Sequence, residues 1–111
     1  MKRFTTKVAV CLLGCYVLSQ SAHAINLSNG QALARQCSVC HGKTGVANDP
    51  EVPNLAGQSA FYLEKSLKDY RSGARQDRRM TLITEKLKDE EISDIAAWYA
   101  SFIIEVARPD P

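Results

Sequence analysis

Cys37-Ser38-Val39-Cys40-His41 is the stretch that decides how this chain is read. The spacing C-x-x-C-H is the pattern by which a c-type haem is attached to a polypeptide. It follows a short helical pattern, Gln31 to Gln36. On a helix, positions three and four apart share a face, so Cys37, Cys40 and His41 can present two thiols and one imidazole to the same side. Two thioether bonds would tether the porphyrin there, and His41 would reach the iron as an axial ligand.

Two other uses of paired cysteines compete with this reading. A closed zinc site needs four ligands, usually Cys and His. Past the leader described next, the chain offers only Cys37, Cys40 and His41, so a carboxylate would have to complete the set. A thioredoxin-like C-x-x-C expects a βαβ neighbourhood, and no strand pattern is evident here.

The chain opens on Met1-Lys2-Arg3-Phe4-Thr5-Thr6-Lys7, continues with an apolar stretch from Val8 to Leu18, and reaches Ala22-His23-Ala24. A basic start, an apolar middle and a small-residue end describe a secretory signal peptide over residues 1–24, cleaved after Ala24. The apolar stretch is short for a permanent anchor. A competing cut precedes Cys15, where Leu12-Leu13-Gly14-Cys15 resembles a lipoprotein box and would leave that cysteine lipidated. Cleavage after Ala24 alters the charge balance. Of 14 basic and 12 acidic residues, Lys2, Arg3 and Lys7 leave, so 11 face 12 and the net charge is −1 before the haem. The basic character of the whole chain therefore gives no reason to expect nucleic acid as a partner. Cys11 and Cys15 leave too, and no disulfide framework is left. The expected location is the periplasm, with no stable membrane insertion after cleavage.

Residues 25–111 are expected to form one small domain. A chain this size buries a modest core and often needs a staple, which covalent haem would supply. The pattern is helical throughout. Leu27-Ser28-Asn29 offers caps ahead of Gly30 to Gln36, and Gly30 marks either a close approach of another backbone or an ordinary helix start. A long loop rich in Gly, Pro, Asn and Asp spans Gly42 to Gln58. Ser59 is placed to cap a helix over Ala60 to Arg71, with Leu63, Leu67 and Tyr70 on one stripe and Gly73 just past its end. Ala74 to Arg79 reads as a polar, basic connection. Met80 opens a short apolar stretch with one or two helical turns to Leu87. Asp89-Glu90-Glu91 puts negative charge at the positive end of the last helix, whose Ile92, Ile95, Ala96, Tyr99 and Phe102 keep helical spacing. Asp94 is grouped with that solvated acidic start. The tail, residues 105–111, is expected to fray.

Once the leader is gone, one histidine and one methionine are left, His41 and Met80. A second imidazole from this chain is excluded. Methionine sulfur suits haem iron and raises its potential, so Met80 is the candidate sixth ligand. An open or weakly held sixth position is the alternative.

Several stretches together resemble small bacterial class I cytochromes c, of the monohaem type similar to one half of the dihaem periplasmic cytochromes c. They are Gly30-Gln31-Ala32-Leu33, Cys37 to Gly42, Pro53-Asn54-Leu55-Ala56-Gly57-Gln58, Tyr70 to Arg75, Met80, and Leu87 to Ile92 running into Ile95-Ala96-Ala97-Trp98-Tyr99. The resemblance implies an all-α cytochrome c fold, about four helices around one covalent haem c, with the first and last helices crossing near Gly30 and Trp98-Tyr99. It implies His41 and Met80 as the axial pair, and a bond from the His41 ring to the Pro53 carbonyl. Lys88 departs from the family's frequent serine before the acidic pair, and Asp89 is expected to cap in its place.

Two functions follow. The first is a soluble one-electron carrier in a respiratory chain, not an enzyme, monomeric, passing electrons between a donor and an acceptor such as a membrane oxidase or a dehydrogenase. Arg71, Arg75, Arg78 and Arg79 form a solvated basic face or part of a docking surface for an acidic partner. The second is a haem subunit of a dehydrogenase complex, or a haem enzyme with an open sixth position.

Overall fold

The computed structural model describes residues 22–110. The expected leader lies outside the described residues apart from Ala22, His23 and Ala24, and so does the lipoprotein box at Cys15. Among the described residues five helices follow one another: α1 Leu27–Leu33, α2 Ser38–His41, α3 Ala60–Ser72, α4 Arg78–Thr84 and α5 Asp89–Ala100. Among the described residues there is no strand. The all-α expectation holds, with the single turn α2 added to the four longer pieces.

α5 is the centre of the molecule, packing against α1 on one side and α3 on another, while α4 packs against α3. Its buried residues include Ile92, Ile95, Ala96 and Tyr99, the stripe that the helical spacing predicts. Leu63 and Leu67 of α3, Ala34 after α1, and Leu87 before α5 complete one apolar cluster. Each fully buried isoleucine or leucine of this kind contributes about 1.5–3 kcal/mol. Trp98 and Phe102 meet edge to face at 5.2 Å on the flank of the cluster.

α1 crosses α5 at Gly30. A Cβ there would stand 2.1 Å from the Asp94 carbonyl oxygen and 3.1 Å from Trp98 Cβ. The backbones meet where only a missing side chain allows it.

Helix ends differ from expectation in four places. α1 is capped by Asn26, whose side chain accepts from the Asn29 N–H at 3.0 Å, so the helix begins before Ser28 and Asn29. Ser59 does stand at the N-cap of α3, yet its side chain makes no capping bond. Lys88, not Asp89, is the N-cap of α5, and the Glu91 carboxylate reaches back to the Lys88 N–H at 2.8 Å. Arg78 and Arg79 belong to α4, because Asp77 caps that helix one residue before them.

Asp94 corrects the reading of a solvated acidic start. It is 1% exposed and accepts from the Asn26 N–H, the Asn29 amide and His23. Acid pattern alone did not distinguish it from Asp89 and Glu90. The face it occupies is the one α1 covers.

Among the described residues no helix is long and apolar enough to cross a membrane.

Candidate functional site

Cys37 and Cys40 bracket the first turn of α2. The chain leaves α1 through a tight turn in which the Cys37 N–H bonds to the Ala34 carbonyl at 3.0 Å. Cys37 itself is the N-cap of α2, and its carbonyl accepts from the His41 N–H at 2.9 Å. One turn of helix therefore fixes both cysteines and the histidine relative to each other. Both thiols are free. Cys40 is exposed, whereas Cys37 packs against the apolar cluster. Burial pushes the Cys37 pKa up to about 11, against a smaller opposing pull from the Tyr99 hydroxyl. Tyr99, whose hydroxyl donates to the Ala34 carbonyl at 3.4 Å, is buried beside this turn and was not singled out for it from sequence.

His41 ends α2, and Gly42 follows with φ 82°, where a Cβ would stand 1.9 Å from the Val46 carbonyl oxygen. That left-handed residue turns the chain into the loop that reaches Pro53. The His41 ring is buried, and its Nδ1 lies 2.8 Å from the Pro53 carbonyl oxygen. A carbonyl only accepts, so Nδ1 carries the proton and donates. In the neutral ring Nε2 then keeps its lone pair, the state an imidazole needs to bind a metal. The loop holds Pro53 in place through its own bonds. The Gly45 carbonyl accepts from the Leu55 N–H at 2.7 Å and from the Ala56 N–H at 3.1 Å. The Asn54 side chain accepts from the Ala47 N–H at 2.8 Å.

Met80 stands in the first turn of α4 and packs against the apolar cluster that Cys37 also touches. Its backbone is held at both ends. The Asp77 carboxylate accepts from the Met80 N–H at 2.9 Å, and the Thr84 hydroxyl donates to the Met80 carbonyl at 2.8 Å. Thr84 is fully buried. Asp three residues before Met80 is a capping signal that sequence reading can find. Thr84 gives no such signal, since its role depends on the helix being formed.

An open cleft of about 560 Å³ lies beside Cys40, with Val39, Val46, Val52, Lys43 and Arg79 in its lining. Three valines give it an apolar wall, and Lys43, Arg79 and Asp49 bring charges of both signs to it. Two thiols on one turn, an oriented imidazole and a soft thioether on the shared cluster are the donor types that a covalently held haem takes, and residues of these types fit that group. Among the described residues no group of three or more His, Cys, Asp and Glu side chains is placed to hold a metal ion by itself.

Of the four arginines near Met80, Arg75, Arg78 and Arg79 are exposed, as a solvated basic face requires, and Arg71 is tied down. Arg71 bonds to the Leu87 carbonyl at 2.7 Å and to the Asp89 carboxylate, tying α3 to the start of α5. Arg75 lies over the Tyr70 ring, 4.6 Å from its centroid. Arg79 stands on the cleft.

The chain is similar to known proteins over most of its described length. The Cytochrome c family model matches residues 27–101. Cytochrome c4 of Pseudomonas aeruginosa is 40% identical over 106 residues, 95% of this chain and 53% of that protein. Cytochrome c-554(548) of Halomonas halodenitrificans is 50% identical over 68 residues, 59% of this chain and 82% of that protein. The crystal structure of reduced recombinant cytochrome c4 from Pseudomonas stutzeri superposes with a TM-score of 0.70 at 34% identity, over 79% of this chain and 51% of that one. The chain thus spans about half the length of the cytochrome c4 proteins it matches. It belongs to the cytochrome c family, the electron-carrying proteins with covalently attached c-type haem.

Proposed function

We propose that this chain is a periplasmic one-electron carrier, not an enzyme, in which Cys37 and Cys40 hold the haem, His41 and Met80 are its axial ligands, and the leader is cut after Ala24. The observation that carries the reading is the His41 Nδ1 bond to the Pro53 carbonyl, 2.8 Å long. It orients a buried imidazole and leaves Nε2 as the electron-pair donor. The bound haem supplies a metal centre that gains and loses one electron.

The chain's own residues do the rest. The α2 turn fixes the two tethering sulfurs and the imidazole as a unit. Asp77 and Thr84 hold the Met80 backbone at both its N–H and its carbonyl, so the thioether is offered from a rigid position. With His41 and Met80 both holding the haem iron, no position would be left on it for a substrate. The acidic residues of α5 add no acid–base pair, since Asp94 is locked in hydrogen bonds and Glu91 bonds the Lys88 N–H. Donor and acceptor proteins are the partners this reading requires, and the protomer works as a monomer between them.

Optical spectra of the purified holoprotein, wild type and Met80→Ala, test the proposal. The wild type is expected to show the iron–sulfur charge-transfer band and to bind carbon monoxide poorly. Met80→Ala is expected to lose the band, bind carbon monoxide readily and have a lower reduction potential. Fast carbon monoxide binding by the wild type, or an unchanged Met80→Ala spectrum, overturns Met80 ligation and favours a haem with an open sixth position.

A further inference from the structure

Asp94 is a buried carboxylate that the electron-carrying site does not use. It sits on α5 at the crossing with α1, 1% exposed. Its Oδ1 accepts from the Asn26 N–H at 2.9 Å and from His23 Nε2 at 2.9 Å, and its Oδ2 accepts from the Asn29 amide at 2.8 Å. His23 and Asn26 come from the segment that leads into α1, and Asn29 from its first turn. Burial pushes the Asp94 pKa up, and the bonds from Asn29, Asn26 and His23 more than offset that push, so the carboxyl sits below its usual range. Two of these donors are neutral amides. Among the three, His23 alone can bring a positive charge.

A cut after Ala24 divides this set. His23 leaves with the leader, while Asn26 and Asn29 stay. The same cut creates an α-ammonium on Ile25. The Ile25 nitrogen is one residue from the Asn26 nitrogen, which places it within about 6.5 Å of Asp94 Oδ1. A buried ionised carboxylate is costly without a charged partner, and the new ammonium is the nearest positive charge that processing can supply.

We propose that leader removal replaces the His23 imidazole with the Ile25 α-ammonium as the partner of Asp94, so that the processed N-terminus clamps α1 onto α5. The inference rests on cleavage after Ala24 and is independent of the haem ligands. The charged groups on the packed elements leave this pairing intact. α1 contains no charged residue and, among the described residues, packs against no helix but α5. On α5, Asp89 and Glu90 are exposed and Glu91 is turned to the Lys88 N–H. Arg35, just past α1, is exposed.

The sign of the pH dependence follows. An amine that gains a carboxylate partner has its pKa raised above the ordinary value of about 8. Its stabilisation is complete below that ordinary value and is lost as pH rises through the raised one.

The test uses the haem-loaded protein beginning at Ile25 and its Nα-acetylated form, each with Asp94 and with Asp94→Asn. Unfolding is followed in urea, which adds no ionic screening. Acetylation is expected to lower the urea midpoint of the Asp94 protein at neutral pH and to leave Asp94→Asn unchanged. The gap between acetylated and free forms is expected to close at alkaline pH. An equal fall in both backgrounds, or no fall in either, overturns the clamp. If Asp94→Asn does not fold, an NMR titration of the Ile25 amine in the wild type decides. A pKa above about 8 supports the pairing, and one at or below it overturns it. Mass spectrometry of the exported protein showing a first residue other than Ile25 also overturns it, and leaves the electron-carrier reading standing.

Discussion

Gly30 is the residue on which the packing of the N-terminal helix depends. Any Cβ at that position would meet the Asp94 carbonyl oxygen at 2.1 Å, a backbone atom that cannot rotate away. Relief would require α1 to lift from α5, which would also pull Asn26 and Asn29 off the Asp94 carboxylate. Gly30→Ala is therefore expected to destabilise the holoprotein by about 3 kcal/mol, even though alanine favours helix. Urea unfolding of the two proteins measures it, and a loss below about 0.5 kcal/mol would show that the crossing tolerates a methyl group. The close approach at Gly30 was one of two readings the sequence left open, because glycine in a helical pattern asks for a reason but a helix start also takes one. The burial of Asp94 was not. Three acids precede it in the first turn of α5, and local charge pattern cannot say which face a distant helix will cover.

α4 shows the same limit at the scale of an element. The segment Ala74 to Arg79 reads as a basic connection because its arginines dominate the composition, yet Asp77 starts a helix that takes in Arg78 and Arg79. The seven-residue helix is too short to stand by propensity alone, so its cap and its packing on α3 decide it. α3 and α5, with 13 and 12 residues, were legible because long periodic stripes outweigh local composition. The N–H of Met80, followed by that of Arg79, holds the Asp77 carboxyl below the usual carboxylate range. A lowered folded pKa means that the cap is fully present above the ordinary value, about 4, and is lost as pH falls through the lowered one. Asp77→Ala is expected to lower Tm by a few degrees and to speed carbon monoxide binding, less than Met80→Ala does. Asp77→Asn keeps a capping oxygen and is expected to bind carbon monoxide as slowly as the wild type at neutral pH, without the wild type's loss of hold in acid. Stopped-flow carbon monoxide binding across pH separates the three proteins. Equal rates in all three would mean that α4 positions Met80 without its cap.

The whole molecule has a small core for its length. Among the described residues the buried apolar side chains are Ala34, Leu63, Leu67, Leu87, Ile92, Ile95, Ala96 and Tyr99, a single cluster centred on α5. Cys37 and Met80 lie on the edge of that cluster, so the group they are proposed to hold would extend it. The haem motif was legible because its five residues are contiguous and local helix geometry suffices to assemble them. The Pro53 contact came only from the family resemblance, since no local rule links His41 to a carbonyl across a loop. A domain of this size with such a core depends on a staple, and two thioether bonds would provide it. Acid–acetone treatment is accordingly expected to leave haem on the polypeptide, and haem that extracts freely would sink the covalent assignment. Cys37→Ala combined with Cys40→Ala is expected to yield little folded holoprotein, with helical circular dichroism well below that of the wild type. Either single substitution keeps one tether and is expected to retain some haem, with Cys37→Ala the less stable of the two, because its sulfur also packs against the cluster while Cys40 is exposed. Equal stability of the single variants would assign the loss to the tether alone. A double variant that folds as well as the wild type would show that the helices close around α5 without the haem.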